Sequence, residues 1–551
     1  MAARTGSCDP GGVRRPLLAG ALLLAVYVLL SFLNDPRGYL GTDTGSKVAT
    51  LEVMQANGTT HPDLGYWAER WDPTGRVHPI YDAHQVGDDW VQVTTLPMLE
   101  LAKPLYDVGG YRLALLLPML GGVGAAFAAR AISRRSARSE AAGWLAFWAV
   151  GLASPVLVYA LDLWEHAIGV ALVLGAVALL GGILEGAKVP ARAAGAGAML
   201  GLAATMRTEA LVYSLVAVGA AQLLLVVPQR RWRCALATGI AAVAGFAVPW
   251  FASSLVDRWL GGLDRAGRAA GAASGGLTGL GDRAREAAIT LLALRSADFG
   301  RMVVIGLALV ALIAGMVVSA RKGRADRAVV LGIGASALYL VTAINGLAFV
   351  PGLFAAAPIA VVAFTRKPSS AAASYPLLVA VGALPLVWAF QFVGGALPQW
   401  GGRYTLPSCA LLVAIGAGVL VTERREVLVA VVAMSLLVTA TGELWLRQRS
   451  HAVDRQFQAL VHRPEDVVIA RNAFFVREGG PAYTERRWLT AATDPDLLLA
   501  ASVVRDAGLH TFAVLDEDPT PPATLAGARL VGTSRTSFLG EPELIHSYRL
   551  P

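Results

Sequence analysis

Thirteen stretches of apolar sequence, each close to the length that crosses a bilayer, divide this chain. A hydrocarbon layer about 30 Å thick takes roughly twenty apolar residues per helix, and residues 16–33 approach that with no charge inside. The chain therefore reads as a polytopic α-helical membrane protein. Its content of 55% hydrophobic and 16% charged residues, with a mean hydropathy of +0.55, is far from that of an average soluble domain.

The formal net charge of +8 implies no nucleic-acid partner, because Lys and Arg collect in short segments between apolar runs. Seven basic clusters result: Arg14-Arg15, Arg130 with Arg134-Arg135-Arg138, Lys188 with Arg192, Arg230-Arg231-Arg233, Arg321-Lys322-Arg324-Arg327, Arg366-Lys367 and Arg424-Arg425. All seven face the cytoplasm together only if residues 193–227 form two spans with a sharp reversal at Arg207-Thr208-Glu209. The expected spans are 16–33, 111–129, 141–160, 167–184, 193–206, 210–227, 235–256, 302–320, 328–345, 349–364, 371–393, 406–422 and 427–446. The fifth is short and the ninth and tenth meet at Asn345-Gly346, so broken or tilted helices are expected. The first span has no small-residue cleavage site after it, so it reads as a retained anchor with the N-terminus inside. The three cysteines, Cys8, Cys234 and Cys409, fall in or beside the membrane on this topology, leaving no disulfide outside.

The membrane domain spans residues 1–446 and an extracytoplasmic α/β domain spans 447–551. Within the first, residues 34–110 form an acidic exterior loop whose second half, Asp89 to Tyr106, reads as interfacial helix anchored by Trp90 and Tyr106. Residues 257–301 form a second exterior loop; from Leu260 to Arg285 it is packed with Gly, Ala and Arg and is expected to be mobile. In the C-terminal domain, Asp466 to Ala470 and His510 to Asp516 read as strands, Asp494 to Ala507 as helix, with strand-like runs near Arg529 and Glu543.

Four segments carry side chains suited to chemistry. Tyr39 to Lys47 frames Asp43 with small and hydroxyl residues just beyond the first span, where a base meets a lipid-borne substrate; the same pattern also describes a helix N-cap. Leu161 to His166 holds Asp162, Glu165 and His166, acid/base groups or ligands for a divalent cation such as Mg or Mn; otherwise it is a solvated turn. Arg207-Thr208-Glu209 either closes a tight turn by an Arg207–Glu209 contact or lets Arg207 hold a phosphate bidentately. Gln399 to Pro407 offers Arg403 and Tyr404 to a sugar or phosphate, with belt aromatics as the plainer account. His61, His78 and His84 have no metal-ligand spacing.

Taken together, Asp43 in the first exterior loop, Asp162 or Glu165 in the second, the small-residue run Gly201 to Arg207, the Gly/Arg-rich loop after the seventh span and Gly402-Arg403-Tyr404 resemble the GT-C superfamily of membrane glycosyltransferases. The resemblance implies a polyprenyl-phosphate sugar donor, a lipid, glycan or protein acceptor, and reaction at the outer membrane face. It matches the family's essential acid of the first loop to Asp43 and that of the second to Asp162 or Glu165; on these residues the expected reaction is an inverting transfer with Asp43 as general base, Asp162 and Glu165 as further catalytic residues, and His166, Arg207, Glu209, Arg403 and Tyr404 as substrate contacts. Many members carry two adjacent acids in the first loop, whereas Asp43 is followed by Thr44. Asp35, Glu52 and Asp63 are thus further candidates for the base. A transporter or lipid-carrier flippase is the alternative function, and a scaffold for envelope assembly a third.

Overall fold

The computed structural model describes residues 10–551, apart from 82, 93–95, 188, 263, 265–266, 268–278, 293–298, 344–349, 391–399 and 540. Each of the thirteen apolar stretches is helical over most of its described length. Nine of the described helices are long and apolar enough to cross a membrane, which makes this a multi-pass membrane protein. The first, α1, is Pro10–Ser31. After an exterior segment come α4 (Leu116–Ala137), α5 (Glu140–Leu152) with α6 (Val156–Ala160), α7 (His166–Leu184), α8 (Val189–Met206), α9 (Glu209–Val226) and α10 (Trp232–Gly261). Beyond these lie α11 (Leu280–Leu292), α12 (Phe299–Arg321), α13 (Ala325–Ala343), the short α14 (Leu353–Ala356) and α15 (Pro358–Val362), α16 (Ala371–Phe390), α17 (Leu406–Leu420) and α18 (Arg425–Val461).

Two breaks in this bundle shape its outer end. The third apolar stretch parts at Ser154-Pro155, because a residue before proline is pushed out of the α region, and the freed turn is tied by Ser154 Oγ donating to the Val150 carbonyl at 2.7 Å. The tenth stretch is two buried pieces, α14 and α15, joined at Ala357 just before Pro358. The expected reversal between the fifth and sixth stretches is present, since α8 ends at Met206 and α9 begins at Glu209. The junction expected at Asn345-Gly346 lies outside the described residues.

The exterior segment holds α2 (Thr42–Ala56), a hairpin of β1 (Ala83–Val86) and β2 (Asp89–Gln92), and α3 (Leu96–Ala114). Trp90 and Tyr106 are not headgroup anchors as the sequence suggests. Trp90 is 2% exposed, its ring 5.0 Å from His78 and 5.3 Å from Tyr66, and the buried Tyr106 hydroxyl donates to Glu52. Aromatics expected to anchor at the interface here find a protein core instead. Much of the Gly/Ala/Arg stretch expected to be mobile lies outside the described residues, but its end is α11, whose Arg283 guanidinium donates to the Trp388 carbonyl at 2.5 Å.

The C-terminal region forms a six-stranded sheet in the order β4-β3-β5-β8-β7-β6, from β3 (Val467–Ala470), β4 (Arg487–Thr490), β5 (Thr511–Asp516), β6 (Thr524–Leu525), β7 (Ala528–Phe538) and β8 (Glu541–Arg549). Strands β4, β3 and β5 pair in parallel and the others antiparallel, while α20 (Asp494–Asp506), after the single turn α19 (Ala482–Glu485), packs on one face. β4 and the two-residue β6 are the strands of this sheet that the sequence reading lacks. Leu64, Tyr66, Val77, Ile80 and Trp90 of the exterior segment share one core with Phe457, Phe475, Trp488 and Phe512, so loop and sheet make a single outer layer. At 1.5 Å per residue the 37 residues of α18 run about 55 Å, nearly twice the hydrocarbon thickness, and its upper half enters that layer.

Candidate active site

The site lies where the outer ends of α7, α9 and α17 meet α2. Asp43 stands inside the first turn of α2, behind the N-cap Gly41, so it is not the helix cap, and its carboxylate meets longer-range partners. Its Oδ1 accepts from Arg477 Nη2 at 2.8 Å, and Oδ2 lies 3.6 Å from Arg403 Nη1. Arg477 belongs to a single 3-10 turn, Val476–Glu478, pressed so closely on α2 that a Cβ at Gly45 would fall 2.1 Å from the Arg477 carbonyl oxygen. Burial pushes the Asp43 carboxyl up, but Arg403, Arg477, Lys47 and Arg207 outweigh it and hold it at about 2. Its side chain nonetheless keeps 24% exposure, which leaves a route to substrate.

One turn further along α2, Lys47 meets Glu165: Nζ to Oε2 is 2.6 Å with both side chains 1% exposed. Glu165 Oε1 accepts from Arg207 Nη1 at 2.9 Å, and Arg207 Nε donates to Glu209 Oε1 at 3.0 Å. Burial raises the Glu165 carboxyl, yet Lys47 and Arg207 bring it below the ordinary glutamate range. Glu209 thus closes the Arg207 turn, as the plainer account has it, and Glu165 ties that turn to the start of α7.

Arg403 reaches Asp43 because Gly401 and Gly402 take φ of 70° and 74°, left-handed values that a side chain resists. A Cβ at Gly401 would also sit 2.5 Å from Pro155. The guanidinium carbon of Arg403 lies 5.3 Å from the Trp164 ring centre and 4.8 Å from that of Tyr404, and Arg403 Nη2 donates to the Tyr404 hydroxyl at 3.2 Å. Arg207 faces the same Tyr404 ring at 5.5 Å. Below them is a cavity of about 10 Å³ bordered by His166, Arg207, Glu209 and Arg403, room for a single water. Among the described residues, neither ring nitrogen of the buried His166 has a hydrogen-bond partner, nor do Arg403 Nε and Glu209 Oε2.

Asp162 sits apart from this constellation in its bonding. Its carboxylate accepts from Thr44 Oγ1 at 2.5 Å, the Leu40 amide at 3.1 Å and the Tyr111 hydroxyl at 3.2 Å, and the residue is 1% exposed. The expectation that Asp162, Glu165 and His166 make a divalent-metal site meets a different geometry. Asp162 turns to Thr44 and Tyr111, Glu165 to Lys47 and Arg207, and no group of three His, Cys, Asp or Glu side chains among the described residues converges on a cation position. Two carboxylates already saturated by donors and cations do not fit that role.

Burial is the larger influence on Asp162 and lifts its carboxyl to about 6, against the Thr44, Leu40 and Tyr111 hydrogen bonds and Lys47. The folded chain therefore binds this proton more tightly than the unfolded chain, where an aspartate titrates near 3.9. The resulting stability is full below about pH 4, is lost as pH rises through about 6, and amounts to about 3 kcal/mol. Asp162→Asn is expected to remove that slope, read as the difference between wild-type and variant unfolding midpoints from pH 4 to 7.

Of the further candidates for a base, Glu52 is bonded to Tyr106, Asp63 accepts from the Gly65 and Trp90 amides at 2.8 and 2.9 Å, and Asp35 faces His451 at 3.3 Å. Sequence reasoning missed Lys47 and Arg477. Lys47 had a local signal, standing four residues after Asp43 on one helix face. Arg477, 434 positions away from Asp43, had none.

No protein-family model matches this sequence, and no curated protein matches it. Among solved structures, the Archaeoglobus fulgidus oligosaccharyltransferase in its apo form is similar at 12% identity over 90% of this chain and 69% of that one, with a TM-score of 0.42. ArnT from Cupriavidus metallidurans bound to undecaprenyl phosphate is similar at 12% identity over 96% of this chain and 97% of that one, with a TM-score of 0.46. The functional reading below stands on this chain's own residues.

Proposed function

We propose that this chain is a membrane glycosyltransferase that moves a sugar from a polyprenyl-phosphate donor to a cell-envelope acceptor on the outer face of the membrane. The observation that carries this reading is one cluster, in which Asp43, Glu165 and Glu209 face Lys47, Arg207, Arg403 and Arg477 at the seam between apolar bundle and polar outer layer. A donor whose tail stays in lipid while its head reacts in water needs its site at such a seam. The excess of cations over carboxylates suits a phosphate, which guanidinium groups bind bidentately. Asp162, enclosed by its three donors, holds α2 to the turn before α7 and so positions Asp43 rather than reacting.

At about 2, Asp43 is too weak a base while two arginines hold it, since general bases work best near the ambient pH. An arriving phosphate competes for Arg403 and Arg477, and each guanidinium drawn from Asp43 raises its proton affinity. The donor thereby activates the base. The acceptor oxygen then attacks the anomeric carbon as its proton passes to Asp43, and the bond from that carbon to the phosphate oxygen breaks. Arg207 and Arg403 take up the charge of the departing polyprenyl phosphate, the electrostatic contribution that dominates such transfers, and inversion follows from attack opposite the leaving group.

The test is direct. Proteoliposomes holding the protein are given labelled polyprenyl-phosphate mannose, arabinose or glucose with envelope lipid, glycan or protein acceptors. Label is expected to pass from one donor to one acceptor fraction; movement of intact donor between leaflets with no transfer would overturn the assignment in favour of a flippase.

A further inference from the structure

At the opposite end of the bundle, fifteen residues and about 22 Å along α17 from the site, a second cavity opens between the C-terminus of α4, the loop before α16 and the end of α17. It encloses about 460 Å³ and is bordered by Arg138, Arg366 and Lys367 with the hydroxyls of Ser136, Ser369 and Ser370, and no carboxylate lines it. That volume is in the range of small-molecule sites. The acids nearest in sequence are already engaged: Glu140 binds Arg130 and Arg134, each at 2.8 Å, and Glu423 binds Arg321 at 2.6 Å and Arg366 at 3.3 Å. Among the described residues Arg138 and Lys367 have no carboxylate within ion-pair distance.

The walls add to this charge. Arg138 ends α4 in a left-handed conformation, φ 51° and ψ 39°, which is uncommon outside glycine and turns the chain out of the helix at the cavity rim. Ser370 caps α16 by accepting the Ala373 amide at 3.2 Å, so the positive end of a 20-residue helix borders the same space. A basic face made only by membrane topology needs charge alone. Here the charge surrounds a cavity walled by hydroxyl donors.

We propose that this cavity binds a phosphate group, carried either on an anionic lipid of that leaflet or on a soluble molecule. Phosphate offers acceptor oxygens that pair with Arg138 and Lys367 while serine hydroxyls donate to the rest. The site is independent of the reading of the outer end.

Three proteins are compared after delipidation: wild type, Arg138→Ala/Lys367→Ala, and Arg324→Ala, a basic residue that does not line the cavity. Each is titrated with inorganic phosphate against chloride at matched ionic strength, with the unfolding midpoint as readout. Each is also reconstituted with phosphatidylglycerol in phosphatidylcholine, with retained anionic lipid counted by native mass spectrometry. Wild type and Arg324→Ala are expected to show the same retention or midpoint shift, and the double variant at least tenfold weaker binding. Loss confined to phosphatidylglycerol identifies a lipid source; loss confined to inorganic phosphate identifies a soluble one. Equal behaviour of all three proteins in both arms overturns the proposal, leaving surface charge alone.

Discussion

If Asp43 is the general base proposed above, Asp43→Asn is expected to transfer sugar 10²- to 10⁴-fold more slowly than wild type, the usual cost of removing a general base, while binding the polyprenyl-phosphate donor at least as tightly. The second half follows from the geometry. Asp43 occupies Arg477 at 2.8 Å and faces Arg403 at 3.6 Å, so a neutral asparagine surrenders both guanidinium groups to phosphate without competition. Initial rates with labelled donor, together with donor affinity measured without acceptor, separate the two effects. A base whose loss spared turnover at normal expression would sink the mechanism. Loss of turnover accompanied by weaker donor binding would instead make Asp43 a phosphate-site organiser.

The second large effect is on stability. Glu165 is the shared partner of Lys47 at 2.6 Å and Arg207 at 2.9 Å, and neutralising it strands Lys47, which has almost no access to water, while leaving Arg207 with Glu209 alone. Breaking a buried pair from one side costs about 3–5 kcal/mol, so Glu165→Gln is expected to lower the unfolding midpoint sharply and to do so before any catalytic effect is read. Lys47→Met with Glu165→Gln removes one stranded charge together with its partner and is expected to recover at least half of the loss. If the two single changes merely add in the double variant, Lys47 and Glu165 are not energetically coupled and the network is only a crystal of neighbours.

The bundle was legible because hydrophobic length and basic clusters are statements about solvent, and solvent acts on each segment separately. The reversal at Arg207 to Glu209 came from charge arithmetic alone, and it brings Arg207 to Glu165. Trp90 and Tyr106 misled for the complementary reason: an aromatic near a span satisfies a membrane interface and a protein core equally well, and the core that decides is supplied for Trp90 by residues beyond 460 as well as its own segment and for Tyr106 by α2 and the bundle. The same distance hid Arg477. The metal trio failed because Asp162 and Glu165, three residues apart, sit in a turn before α7 rather than on one helical face, so each found a different cation or donor set.

Arg477 joins Asp43 across 434 positions of chain, so the order of synthesis sets when the cluster can be completed. A ribosome that has delivered the whole membrane bundle has delivered Lys47, Glu165, Arg207 and Arg403 but not the guanidinium that completes Asp43. The cluster is therefore completed last, when the final hundred residues have folded against the first exterior segment, and chains truncated before Arg477 lack that contact.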